Sequence, residues 1–295
     1  MKSFKNYYKN KNRSKSITDF NTNIKMKNNL GKVILAGAGP GDPDLISVKA
    51  LKYLQTADVI LTDRLVSPVL VETHARKDAE VIYVGKQCSK GIHTPQKDIN
   101  ELMVDYALQG KLVLRLKGGD ASLFSNVLDE LIEVKKHDIP YEIVPGISAA
   151  FGAAAYTGIP LTARDYSRGV RFLTLYDLNN VTSSQWKDWS ETEDTLVFYM
   201  SGQRLNILTQ HLLSNGIDTN KSIAVVQQAT TPDQKTQVFS FEDLKTQPLP
   251  DFEYVPTLII IGKVVNLHKD FAWYSEKKTT ESYFDNHKNI LQNAI

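Results

Sequence analysis

From Gly31 onward the chain alternates short apolar runs with stretches of helical period, and that alternation decides its fold class. Val33 to Leu35, Val59 to Leu61, Val81 to Val84, Leu112 to Leu116 and Tyr141 to Val144 read as buried strands. Between the third and fourth, Ile99, Leu102, Met103, Tyr106 and Ala107 recur at helical spacing up to Gly110, and Val127, Leu128, Leu131 and Ile132 mark another helix. Strands separated by helices build parallel βαβ units covered on both faces. After Pro145-Gly146 a small-residue helix, Ser148 to Gly158, leads into a second set of elements. Its strands are Val170 to Thr174, Thr195 to Met200, Ile223 to Gln227, Gln237 to Phe241 and Thr257 to Ile261, with a helix near Arg204 to Asn215. The run around Val238 follows Thr230-Thr231-Pro232-Asp233 too closely for a helical crossover, so this half mixes antiparallel with parallel pairing. The expected organisation is two α/β domains, 31–145 and 146–268, flanked by a disordered basic tail over 1–30 and a loosely attached polar tail over 269–295.

Charge is unevenly placed. Residues 1–30 hold eight Lys or Arg against one Asp, which leaves the other 265 residues at a net −5. An acidic body speaks against nucleic acid, whose footprint is a basic patch on the folded domain itself. Any anionic substrate must then meet a local cluster of cations. Cys88 is the single cysteine, so neither an internal disulfide nor a four-cysteine metal site can form, which fits the cytoplasm. No run approaches the roughly 18 apolar residues of a membrane span, and residues 1–30 lack the apolar centre of a secretory signal.

The first strand runs into Gly37-Ala38-Gly39-Pro40-Gly41-Asp42-Pro43, and a helix follows with Leu45, Val48, Leu51 and Leu54 expected inward. Glycines at alternate positions let a ligand approach the backbone at the strand end, where open α/β sheets bind ligands. A dinucleotide loop would have its third glycine at Asp42, where a pyrophosphate would instead meet a carboxylate between two prolines. Nicotinamide and flavin cofactors are therefore discounted. Gly118-Gly119-Asp120 ends the fourth strand, and Asp63 and Lys86 each follow another, so these loops share one sheet edge.

Several blocks in fixed order resemble the tetrapyrrole methylase family: GAGPGDPDLISVKAL at 37–51, ADVILTDRLVS at 57–67, VGK at 84–86, RLKGGD at 115–120, VPGISAAFGAAAYTGIPLTARDYS at 144–167 and LVFYM at 196–200. The resemblance spans nearly all of 31–270. It implies two α/β domains with S-adenosylmethionine folded into the cleft between them, and double C-methylation of uroporphyrinogen III to precorrin-2, on the branch to sirohaem and cobalamin. It implies donor contacts at Pro40, Gly118, Gly119, Asp120, Leu123, Ser148, Ala149, Met200 and Ala229, with Asp63 as proton acceptor and Lys86 as proton donor. It also implies a homodimer and no metal. The substrate carries eight carboxylates, so Arg64, Lys117, Arg164 and Arg168 are candidate partners, with Arg115 and Arg171 beside them. The chain departs from the family pattern over Ala121 to Val127, where proline, aromatics and a Gly-Arg-Gly turn are usual, and at Ala163, where histidine is usual. A methylase of a later precorrin or cobalt-precorrin, and a binding protein without turnover, remain alternative readings of the same motifs.

Overall fold

A computed structural model of the protein describes residues 30–84, 86–87, 92–175, 178–275 and 283–284. The expected tail over 1–29, Cys88 and the side chain of Lys86 lie outside the described residues. Two compact units divide between Ser148 and Ala149.

In the first unit, β1 (Lys32–Gly37), β2 (Val59–Thr62), β3 (Glu80–Tyr83), β6 (Leu112–Lys117) and β7 (Tyr141–Val144) form one sheet in the order β3-β2-β6-β1-β7. Every pair in it is parallel. Two short strands, β4 (Lys86–Gln87) and β5 (Ile92–His93), pair separately. Period two sends alternate residues to opposite faces. Ile34, Ile60 and Leu114 meet Leu54 of α1 (Val48–Thr56) and Leu70 of α2 (Pro68–His74). Val33, Leu61 and Val113 meet Leu102 and Met103 of α3 (Gln96–Leu108) and Val134 of α4 (Val127–Lys136).

One inward assignment is corrected. Val48 is exposed because Ser47 caps the helix one residue before it, and the buried stripe of α1 then falls on Ala50 and Leu54. Leu128 and Ile132 of α4 are also exposed, 66% and 56%, while Glu130 is fully buried. The helix is turned by a charge requirement of the strand beneath it, described below.

In the second unit the sheet order is β11 (Lys235–Ser240), β10 (Ser222–Gln227), β12 (Thr257–Gly262), β9 (Thr195–Tyr199), β8 (Val170–Thr174). Only β8 and β9 run parallel; the other three pairs are antiparallel, as the short connection before Val238 requires. One face packs on α6 (Ser183–Glu191) and α7 (Leu205–Ser214) through Trp186, Trp189, Leu208 and Leu212. The other packs on Ala150 and Ala153 of α5 (Ala149–Thr157), whose small side chains bring helix and sheet close.

Residues 268–275 are not loosely attached. After α8 (His268–Phe271), Trp273 donates its indole N–H to the Ala155 carbonyl at 2.7 Å, and His268 Nδ1 lies 2.6 Å from the Thr157 carbonyl. Trp273 and Tyr274 of this segment pack against Tyr156 of α5 and hold it down despite its polar composition. Among the described residues no helix is long and apolar enough to cross a membrane.

Candidate active site

Because the first sheet is parallel, the loops after β1, β2, β6 and β7 all leave from one edge. The connection from β1 crosses towards β2 and that from β6 towards β7, so the strand order reverses between the neighbours β6 and β1. Such a switch point opens a crevice for ligands. Gly39 and Gly119 bridge it, each amide donating to the other's carbonyl at 3.2 and 2.7 Å. Pro40 follows directly and is buried; Gly118, Gly119, Asp120 and Leu123 are partly exposed.

The glycines here serve packing as much as ligand approach. A Cβ on Gly37 would stand 2.5 Å from the Gly119 carbonyl oxygen and 2.7 Å from the Gly146 Cα, so the ends of β1, β6 and β7 meet backbone to backbone. Asp120 ties the same three-way junction. Its Oδ2 accepts from the Gly146 amide at 3.0 Å, and its Oδ1 accepts from the Ser122 amide and hydroxyl at 2.8 and 2.6 Å. Burial pushes its carboxyl up, but these hydrogen bonds outweigh that and hold it below the usual carboxylate range. Both oxygens are thus engaged within the loops.

Asp63 stands one residue past β2, beside β6, with 28% of its side chain exposed. Its Oδ1 accepts from Arg115 at 2.6 Å. Arg115 and Lys117 alternate along β6 onto the face beneath α4, and both are nearly fully buried. Glu130 reaches down to them: its Oε1 accepts from Arg115 Nε at 2.9 Å, and both of its oxygens lie 2.9 Å from Lys117 Nζ. Burial opposes the charge on Arg115, yet Asp63 and Glu130 together hold its pKa above the ordinary value. For Lys117, burial pushes the pKa down and Arg115 adds to that, against the attraction of Glu130.

This places the candidate substrate cations differently from expectation. Lys117, 2% exposed and bidentate on Glu130, points into the unit rather than towards a substrate. Arg115 is likewise internal, and Arg171 is held by Asp188 and Asp194 at 2.6 and 2.7 Å. Their strand positions in the sequence carried no sign of acidic partners more than ten residues away. Arg164 and Arg168 remain exposed on a tight hairpin closed by mutual Ala163 and Ser167 backbone bonds of 3.0 Å, with Asp165 left-handed at its tip. Arg64 is partly exposed next to Asp63.

In the second unit, β9 and β10 run in the same direction on either side of β12, so Met200 and Ala229 follow strand ends at one edge. Ala149 joins them, because the Tyr199 hydroxyl at the end of β9 accepts the Ala150 amide at 3.1 Å and fixes the start of α5. Ser148, just before it, is buried. Met200 is left-handed at φ +53° and 53% exposed, and Gln228 and Thr230 on either side of Ala229 are left-handed too. Such backbone costs on the order of 1–3 kcal/mol per residue and persists only where surroundings enforce it. Here Thr230 N donates to Gln234 Oε1, Gln228 Oε1 accepts from the Tyr283 amide, and Thr231 Oγ1 donates to the Gln228 carbonyl. In this unit the thioether of Met200 and the small apolar side chains of Ala149 and Ala229 suit an adenosine-bearing sulfonium better than a polyphosphate. Tyr199 and Glu130 were not singled out from sequence; an acid in the helix after a buried Arg-x-Lys strand is the signal that marks Glu130.

Residues 32–245 match the family model described as Tetrapyrrole (Corrin/Porphyrin) Methylases. The siroheme synthase of Pseudomonas fluorescens (strain SBW25) is 45% identical over 245 residues, which is 83% of this chain and 52% of that protein. The chain thus spans about half the length of the curated relatives it matches. The uroporphyrin-III C-methyl transferase of Thermus thermophilus, solved in complex with S-adenyl homocysteine, is 31% identical with a TM-score of 0.64 over 80% of this chain and all of that one. A cobalt precorrin-4 methyltransferase structure, described as a cobalamin biosynthetic enzyme, is 29% identical with a TM-score of 0.67 over 79% of this chain and 95% of that one. With glycine loops at the switch point, an aspartate beside them and this extent of likeness, the chain belongs to the tetrapyrrole methylase family.

Proposed function

We propose that the chain is an S-adenosylmethionine-dependent methyltransferase that methylates uroporphyrinogen III at two ring carbons to give precorrin-2, acting as a homodimer in the cytoplasm. The observation that carries the reading is the sheet edge of the first unit, where the partly exposed Asp63 stands one strand from the Gly39 and Gly119 junction. Pro40, Gly118, Gly119, Leu123, Ser148, Ala149, Met200 and Ala229 contact the donor, and Asp120 presents its loop to it. When bound, S-adenosylmethionine supplies a methyl group already activated by positive sulfur. The glycine-lined edge contributes alignment, and a held in-line geometry is worth about 7–11 kcal/mol. Carbon methylation leaves the macrocycle cationic with a proton to lose, and the open oxygen of Asp63 accepts it. Lys86 returns a proton. Arg64, Arg164 and Arg168 take substrate carboxylates, whereas Lys117 supports Glu130.

Incubating the protein with uroporphyrinogen III and S-adenosylmethionine under reducing conditions, and reading the product by mass, tests this. A gain of two methyl groups is expected. The likeness to the cobalt precorrin-4 methyltransferase favours a second reading, which transfer confined to precorrins or cobalt-precorrins would select. Donor binding without transfer in a single-turnover assay would select a binding protein instead. Sedimentation at twice 33.2 kDa tests the homodimer.

A further inference from the structure

Glu130 is fully buried on α4 and receives two cations from one strand, although nothing in the proposed chemistry uses it directly. Its position in the chain of charges is specific. Asp63 at the sheet edge holds one side of the Arg115 guanidinium, through the terminal nitrogen, and Glu130 holds the other, through Nε. The remaining Arg115 nitrogen donates to the Leu61 and Leu116 carbonyls at 3.3 Å, which fixes the guanidinium plane against β2 and β6. Lys117 neutralises the second charge of the array. From α3, Gln96 Nε2 approaches Glu130 Oε1 at 3.4 Å and Asn100 Oδ1 at 2.9 Å. Among the described residues, the charged groups facing the array are Asp63 with neighbouring Arg64 after β2, Arg115 and Lys117 on β6, and Glu130 on α4; α3 contributes neutral amides.

We infer that Glu130 is a positioning residue for the methyl-transfer reaction, orienting Asp63 by sharing the Arg115 guanidinium with it. The two carboxylates compete for one guanidinium. An arginine dedicated to a single carboxylate stabilises its ionised form strongly and makes it a poor base, with a lowering of one to three pK units typical. An arginine divided between two carboxylates stabilises each less, and the second carboxylate adds like-charge repulsion. Asp63 is thereby fixed in direction, and removal of the Glu130 charge would leave it the sole carboxylate on Arg115.

The inference rests on Asp63 being the base, and the experiment separates the two. The pH dependence of kcat is measured for the wild-type protein, Glu130→Gln, the charge-balanced double variant Lys117→Met/Glu130→Gln, and Asp63→Asn, with KM for both substrates at each pH. In both Glu130 variants the acidic limb is expected to move down by about one pH unit, with kcat on the plateau reduced roughly tenfold and both KM values within about twofold. A merely structural Glu130 would lower the active fraction equally at every pH and leave the limb in place, which overturns the inference. If Glu130→Gln fails to fold, the double variant carries the same test without an unpaired buried cation. Loss of turnover in Asp63→Asn with an unmoved limb in the Glu130 variants removes the inference alone. Wild-type kcat in Asp63→Asn removes the proposed base and the inference together.

Discussion

Arg164 and Arg168 flank a hairpin whose backbone is closed by Ala163 and Ser167, so their guanidinium groups are held outward by short local structure rather than by acidic partners. An exposed ion pair contributes only about 0–1 kcal/mol, so replacing either by Ala should raise KM for uroporphyrinogen III by up to about fivefold and leave KM for S-adenosylmethionine unchanged. Steady-state kinetics in both substrates checks this. Gly37 is constrained from the opposite direction, by space. With the Gly119 oxygen 2.5 Å from an added Cβ, Gly37→Ala must push two strand ends apart, and a loss of about 3 kcal/mol in urea unfolding is expected. The sequence made the glycine loop and Asp63 legible because strand ends and small residues are local signals. Whether Arg115 and Lys117 faced substrate or interior was not legible, since Glu130, 13 and 15 residues further along, is what turns them inward.

Edge strand β7 shows how an element without a long apolar face is secured. Glu142 on β7 accepts from Lys32 of β1 at 2.6 Å and from Tyr53 of α1 at 2.7 Å, with Lys49 on its other oxygen. The hydrogen bonds of Lys32, Lys49 and Tyr53 hold its carboxyl down at about 2, against an ordinary value of 4.5. A carboxyl depressed in the folded state stabilises fully above its unfolded pKa and loses that contribution as pH falls through the folded one. Glu142→Gln should therefore unfold at lower urea than wild type at pH 7, and the gap should close between pH 4.5 and about 2. All ten strands of the two main sheets stand where alternation and β-branching put them, give or take two residues. Besides the short α8, two helices were not legible. Pro68–His74 turns Val69 to solvent and is too short to show a period. Ser183–Glu191 buries Trp186, Trp189 and Ser190, two apolar positions being too few to show a period, although the Thr182 and Gln185 capping box announces its start.

At the scale of the whole chain, the second unit depends on residues that composition alone would assign to a tail. Deleting the chain from His268 onward removes the His268 and Trp273 bonds to α5, each worth about 1 kcal/mol, along with the aromatic cover over Tyr156. Thermal unfolding should fall by about 5–10 °C. Polarity hid this docking because the segment anchors through two aromatic side chains and one histidine rather than through a continuous apolar face. In the first unit, the meeting of Gly37, Gly119 and Gly146 leaves no room for side-chain variation at the junction itself. Anyone wishing to evolve this scaffold towards a different macrocycle would therefore find its mutable letters downstream, over Ala121 to Val127, while the three-strand knot behaves as fixed masonry.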